Sequence, residues 1–156
     1  MSPLDKNVIF LTYTASKAPE KDLSVFRSQF PSLFIQSLDP NCVASEEHVR
    51  LVLSQTVYAS KIGRLLARKA EIDFLMRLAI TDQIKEAIRV AGAKPGQRAI
   101  VVLCGRESQR AKEAMLASGF SDFVAWERKK VDHLLLVGKA ALLGLKRRRV
   151  GLKELN

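Results

Sequence analysis

Six apolar residues in a row, Ala99-Ile100-Val101-Val102-Leu103-Cys104, form the longest strand-like run of this 156-residue chain. A run without polar alternation predicts a strand with both faces covered, at the centre of a sheet. Strand and helix patterns alternate on either side of it, so the sequence predicts an α/β (α+β) fold. We expect a single mixed sheet of about four to five strands flanked by about five helices. One domain is expected over residues 1–146, followed by a basic C-terminal tail over residues 147–156.

Four further segments have the composition of strands. Residues 7–14 are rich in β-branched and aromatic side chains, and residues 32–38 are a second short segment stopped by the turn signal Asp39-Pro40-Asn41. In Glu71–Ile80 every second residue is large and apolar, which predicts a strand with one face toward the core. Residues 122–126 predict a short edge strand.

Five segments carry helix signals: residues 18–30, 45–68, 81–92, 107–118 and 128–145. Ser45 is a suitable N-cap for the second helix, and we interpret His48 in its first turn as a surface imidazole. In the third helix the 3.6-residue period places four apolar side chains toward the core: Ile84, Ala87, Ile88 and Ala91.

Lys and Arg number 26 against 16 Asp and Glu, a formal net charge of +10, and most of this excess lies in residues 128–156. A basic surplus suits a phosphate backbone or an acidic partner, because each neutralised phosphate releases counterions. A solvated face that keeps the protein in solution is the alternative interpretation.

Several functional classes are disfavoured by what the chain lacks. Two cysteines are too few for a disulfide scaffold, which favours a reducing, cytoplasmic location. The apolar stretch 134–145 is well short of the ~20 residues of a membrane span, and residues 1–5 do not resemble a signal peptide. Neither a metal-ligand spacing nor a phosphate-binding loop is present. We therefore expect no metal, no cofactor, no membrane and no enzymatic activity.

A basic cluster lies at the end of the second predicted helix. Lys61, Arg64 and Arg68 share one face if the helix continues that far, and Lys69 follows them. Lys85 and Arg89 lie one turn apart on the next helix. Such cations bind phosphates, and Arg also stacks on bases. Complementing the helix dipole is the structural alternative.

The last predicted helix is apolar on nearly every side, apart from a polar stripe of Asp132, Lys139 and Lys146. A small domain covers one side of such a helix, so the other side is expected to bind a partner, a protein in preference to a lipid surface. Full burial in the core is the alternative. The candidate partner-binding residues lie on two arcs, Leu135, Leu142 and Leu143 on one and Leu134 and Leu145 on the other. The run Lys146–Arg149 after them would suit acidic lipid or RNA.

Four segments in order carry a resemblance to a known family: Tyr58-Ala59-Ser60-Lys61-Ile62-Gly63-Arg64, Ala70 to Ala79, Gln83 to Gly92, and Ile100 to Leu103. Over Ser45 to Leu103 the chain resembles the PRPK-binding-protein family. This resemblance implies a non-catalytic subunit of the KEOPS complex that docks on the small lobe of a kinase-like ATPase. That complex synthesises N6-threonylcarbamoyladenosine in tRNA.

Archaeal members of the family recruit tRNA by its 3′ CCA end, which the resemblance carries onto Lys61, Arg64, Gln83 and Ile84. Asp82 departs from the pattern, since relatives often have a basic residue there. With the neighbouring cations, the candidate RNA-binding set is Lys61, Arg64, Arg68, Lys69, Gln83, Ile84, Lys85 and Arg89. A free-standing basic RNA-binding α/β module outside KEOPS is the second hypothesis, and a small hydrolase or transferase is the third.

Overall fold

The computed structural model of the protein describes residues 7–154, and side chains within residues 7–145. Strands β1 (Val8–Thr14), β2 (Phe34–Leu38) and β3 (Arg98–Cys104) form a three-stranded sheet in the order β1-β3-β2. Both neighbours run antiparallel to β3. The prediction of a central, doubly covered strand is confirmed, since every side chain from Ala99 to Leu103 is buried. The sheet is antiparallel, however, and not mixed.

The described chain also contains seven α-helices and a 3-10 turn at Pro40–Cys42. The helices are α1 (Pro19–Asp22), α2 (Ser24–Gln29), α3 (Glu46–Lys61), α4 (Ala70–Ala79), α5 (Ile84–Ala91), α6 (Ser108–Ala117) and α7 (His133–Glu154). All five predicted helical segments contain a helix, the first of them divided in two at Leu23. The α+β class is thereby confirmed.

Two compact units make up the chain. The sheet unit comprises the chain up to Pro40 together with Gly92–Ala125, and the helical unit comprises Asn41–Ala91 and the chain from Trp126 onward. In the sheet unit α6 packs against β1 and β3. Its core includes Leu11, Ile35, Val101, Leu103 and Met115, and the rings of Tyr13 and Phe120 stack with centroids 4.7 Å apart.

The strand predicted at Glu71–Ile80 is wrong, because this segment forms α4. Its large apolar residues do alternate, but the residues between them are buried as well: Asp73 to Leu78 are buried without interruption. Asp73 and Arg77 form an ion pair at the i, i+4 spacing of a helix. In a helix that is buried on all sides, large apolar residues are not confined to one face, and here their spacing matches the alternation typical of a strand.

The edge strand predicted at 122–126 is also wrong. The chain pairs with β1 through one isolated bridge, in which the amides and carbonyls of Thr12 and Ser121 exchange bonds of 2.8 and 2.9 Å. The Thr12 hydroxyl then donates to the Phe123 carbonyl at 2.9 Å. The Phe123 side chain is 72% exposed, so this segment does not bury the apolar face that would hold a strand in place. Without these two predicted strands, three remain.

At the start of α3, Ser45 caps the helix as predicted, accepting a bond from the His48 amide at 3.1 Å. His48 is not a surface imidazole: it is buried, and its Nδ1 accepts a bond from the Ala44 amide at 3.0 Å. Burial lowers the pKa of His48, and the nearby His133 and Lys129 lower it further. The ring is therefore held neutral in the folded protein.

We expect this histidine to make stability depend on pH. Because the pKa of His48 is lowered on folding, the unfolded chain takes up a proton first as pH falls below the usual value of about 6.5. The free energy of unfolding should then decrease from pH 7.5 toward pH 5 in urea titrations. In His48→Asn, whose amide oxygen replaces the Nδ1 acceptor, this decrease should be smaller. An equal decrease in both proteins would contradict the assignment.

Candidate functional site

The candidate RNA-binding residues and the candidate partner-binding residues all lie in the helical unit. At its centre lies α4, whose Asp73 is fully buried. α3, α5 and α7 all pack against α4. The surfaces that these outer helices leave exposed are therefore positioned by α4.

Helix α3 ends at Lys61, so the prediction that Lys61, Arg64 and Arg68 share one helical face is wrong. The chain turns at Gly63, which has a positive φ of +68°. The Arg64 amide still bonds to the Ala59 carbonyl at 2.8 Å, which closes the helix end. Residues 62–69 then form a connection to α4, here called the basic loop.

The side chains of the basic loop that carry charge point to solvent: Arg64, Arg68 and Lys69 are all exposed, as is Lys61 just before them. Within residues 7–145 none of these four forms an ion pair with a carboxylate. Tyr58, near the end of α3, and Ile62, the first residue of the loop, are 64% and 50% exposed. Sequence reasoning missed these two, although an aromatic side chain such as Tyr58 beside cations is the typical composition of a surface that stacks bases.

The other candidate RNA-binding residues are Gln83, just before α5, and three residues of α5, Ile84, Lys85 and Arg89, and all four are exposed. The prediction that Ile84 and Ile88 point into the core is wrong, since they are 48% and 49% exposed. Only the small side chains Ala87 and Ala91 of the predicted face are fully buried, because α5 approaches α4 closely there. The Arg89 guanidinium is paired with Glu86 on the same helix, which reduces its availability to a ligand.

The basic loop and Gln83 lie at opposite ends of α4. The basic loop precedes its first residue, Ala70, and Gln83 follows its last residue, Ala79, after a short turn. Ten helical residues span about 15 Å. A single nucleotide does not cover this distance, so a ligand that contacts both the basic loop and Gln83 must be an extended one.

Helix α7 begins at His133, and not near residue 128 as predicted. The Asp132 carboxylate caps it by accepting the Leu135 amide at 3.0 Å. The residues before the helix are not helical, and the Lys129 amide there bonds to the Ala44 carbonyl at 2.8 Å.

One side of α7 packs on the helical unit. Ala140 is fully buried, the Gln55 side chain of α3 donates to the Val137 carbonyl at 2.9 Å, and Arg77 of α4 donates to the Ala140 carbonyl at 3.3 Å. This is the inner face of the helix. The helix is therefore anchored to α3 and to α4.

The opposite side of α7 is apolar and exposed. We define its outer face as Leu134, Leu135, Leu142 and Leu145, which are 83%, 51%, 59% and 55% exposed. The two predicted arcs do not separate inward from outward residues, because only Leu143 is half-buried. The side chains of Lys146–Arg149 lie outside the described residues.

In the part of the chain that the structure describes, no group of three or more His, Cys, Asp and Glu side chains lies close enough together to hold a metal ion. Nor is any helix of that part long and apolar enough to cross a membrane.

Comparison with known proteins gives one family. The model of a family described as kinase binding protein CGI-121 matches residues 16–133, well over half of the chain. A search of curated proteins gives no match. The matched region includes the whole basic loop and α5 and ends at the first residue of α7.

Because α7 has a buried and an exposed face, the same substitution at adjacent positions should change the free energy of unfolding by very different amounts. Ala140 is fully buried, so the packed core around it has no room for the larger side chain of Ala140→Leu. This variant should lower the free energy of unfolding by about 1–3 kcal/mol. Ala141→Leu lies on the exposed side and should change it by less than about 0.5 kcal/mol. Urea unfolding of both variants makes the comparison, and equal losses would show that the helix has no exposed side.

Proposed function

Because this chain belongs to the CGI-121 family of kinase-binding proteins, we propose that it is a non-catalytic accessory subunit of the KEOPS complex. In this role it docks on the kinase-like ATPase of the complex and recruits tRNA by its 3′ CCA end for N6-threonylcarbamoyladenosine synthesis. We propose a cytoplasmic location for this activity.

The observation that carries the proposal is the outer face of α7. Four leucines, each more than half exposed, lie on a helix whose inner face is already packed against α3 and α4. Exposed apolar patches rimmed by polar residues are typical of protein interaction sites. Lys139 and Asp132 are exposed beside the leucines and supply such a rim. The occupant we assign is the small lobe of the kinase-like subunit, since the family binds kinases.

The basic loop supports the second part of the proposal. Its cations are exposed and, within residues 7–145, form no ion pair, so the Coulomb attraction of a phosphate backbone is not offset by a neighbouring carboxylate. Exposed apolar surface is added by Tyr58 on α3, by Ile62 in the basic loop itself, and by Ile84 and Ile88 on α5. Cations interleaved with stacking surfaces are the usual means of binding single-stranded ends.

Docking is tested by co-expression with the kinase-like subunit of the same organism. Leu142→Asp should reduce affinity for that subunit by at least about 30-fold, the equivalent of one ~2 kcal/mol central contact, and should abolish co-purification. Phe123→Asp is the matched control, because it places the same charge at an apolar position of the sheet unit that is even more exposed, 72% against 59%. If both variants co-purify normally, the outer face of α7 is not the docking surface. If the unchanged protein also purifies alone, the free-standing RNA-binding module becomes the better hypothesis.

Recruitment of tRNA is tested by filter binding across a salt series. Lys61→Ala, Arg64→Ala and Arg68→Ala together should weaken binding and lower the salt slope by about 2, since each contact with a single strand contributes ~0.7. The control combines Lys17→Ala, Lys21→Ala and Arg106→Ala, which removes the same charge from exposed positions of the sheet unit. Removal of the CCA end from the tRNA should cause a loss as large as that of the first triple variant. Equal slopes for the two triple variants would mean that only net charge matters.

A further inference from the structure

Asp73 is a buried acid at the meeting point of three segments of the helical unit. Its carboxylate accepts the Thr56 hydroxyl of α3 at 2.6 Å, the Leu66 amide of the basic loop at 2.9 Å and the Arg77 Nε of α4 at 2.7 Å. Arg77 Nη2 adds a fourth contact at 3.3 Å. A carboxylate has about four acceptor positions, so this one is fully used.

The contact with Leu66 lies at the middle of the basic loop. The first part of the loop is fixed by the end of α3, through the bond from the Arg64 amide to the Ala59 carbonyl. The last part is fixed by the first turn of α4, where the Ile72 amide bonds to the Lys69 carbonyl. Between them Leu66 is buried and its amide reaches the Asp73 carboxylate. The carboxylate therefore holds the segment that connects Arg64 to Arg68.

A buried ion pair is a poor means of stabilising a fold. Its two charges lose their hydration, and a well-packed apolar pair of similar volume is often as stable or more so. The pair instead fixes the position of the backbone next to it, because a charged acceptor binds a backbone amide at a defined place and an apolar side chain does not.

We propose that Asp73 is a positioning residue for RNA binding: by holding the Leu66 amide it sets where Arg64, Arg68 and Lys69 project. Arg77 acts through Asp73 by neutralising its charge in the core. This inference rests on the proposed role of the basic loop in binding tRNA. Asp73 itself is inaccessible to the ligand.

The test removes the polar group without leaving a lone buried charge. Asp73→Asn alone would leave Arg77 unpaired and risks unfolding the protein. A variant with Thr56→Val, Asp73→Leu and Arg77→Met, called the apolar variant, replaces the network by side chains of similar size and leaves the Leu66 amide without its acceptor. Met115→Ala, in the core of the sheet unit, is the control for lost stability.

The first measurement is hydrogen exchange of the Leu66 amide in the full chain. In the apolar variant it should exchange about tenfold to a hundredfold faster than in the unchanged protein, the equivalent of losing one charge-assisted bond. Trypsin should cleave after Arg64 and Arg68 faster by a similar factor. Neither change is expected in Met115→Ala. If the Leu66 amide stays protected in the apolar variant, the proposal is overturned.

The second measurement is filter binding of tRNA with an intact CCA end. The apolar variant should bind about tenfold more weakly with unchanged net charge, whereas Met115→Ala should bind normally. If the Lys61, Arg64 and Arg68 variant loses affinity but the apolar variant does not, the positioning role is wrong while the RNA-binding site stands. If the Lys61, Arg64 and Arg68 variant binds normally, the RNA-binding site itself is wrong and the positioning proposal falls with it, whatever the exchange of Leu66.

Discussion

The ion pair between Asp73 and Arg77 is the constraint on which the helical unit depends. Both side chains are buried, and together they contact α3, the basic loop and α7. Removing one member of such a pair typically costs about 3–5 kcal/mol, because the other charge is left unpaired in the core. This is a large share of the ~5–15 kcal/mol that stabilises a folded domain. The segments around α4 are therefore held in one arrangement, and the surfaces they expose are positioned with them.

The outer face of α7 is exposed because the helical unit covers only a small part of this helix. The fully buried Ala140 brings the backbone close to α4, so that Arg77 reaches the carbonyl of this residue. A helix that packs this closely buries a narrow strip and leaves the four leucines of its outer face exposed. Burying a leucine fully is worth about 1.5–3 kcal/mol, so a partner that covers several of them gains a substantial driving force. The family to which the chain belongs is described as kinase-binding.

The three strands that the sheet unit contains were predictable because their signals are local. Composition and flanking turns located β1, β2 and β3, and the absence of polar residues in 99–104 indicated the central position of β3. The same reasoning failed at Glu71–Ile80. There the alternation of large side chains predicts a strand with one buried face, but Asp73 and Arg77 are buried too, because they form an ion pair with each other. Their i, i+4 spacing was the available sign of a helix.

For the surfaces, local patterns identified which residues carry charge or apolar area, but not where those residues lie. The basic composition of the loop after α3 and the apolar excess of α7 are properties of the sequence alone. The end of α3 has a local signal in Gly63, but that Ile84 and Ile88 are half exposed and that four leucines of α7 face outward were decided by packing. Periodicity tells which side chains share a face of a helix, whereas burial depends on what lies opposite that face. Here the opposite element is α4, and the helices that pack against it, α3, α5 and α7, come from separate parts of the chain.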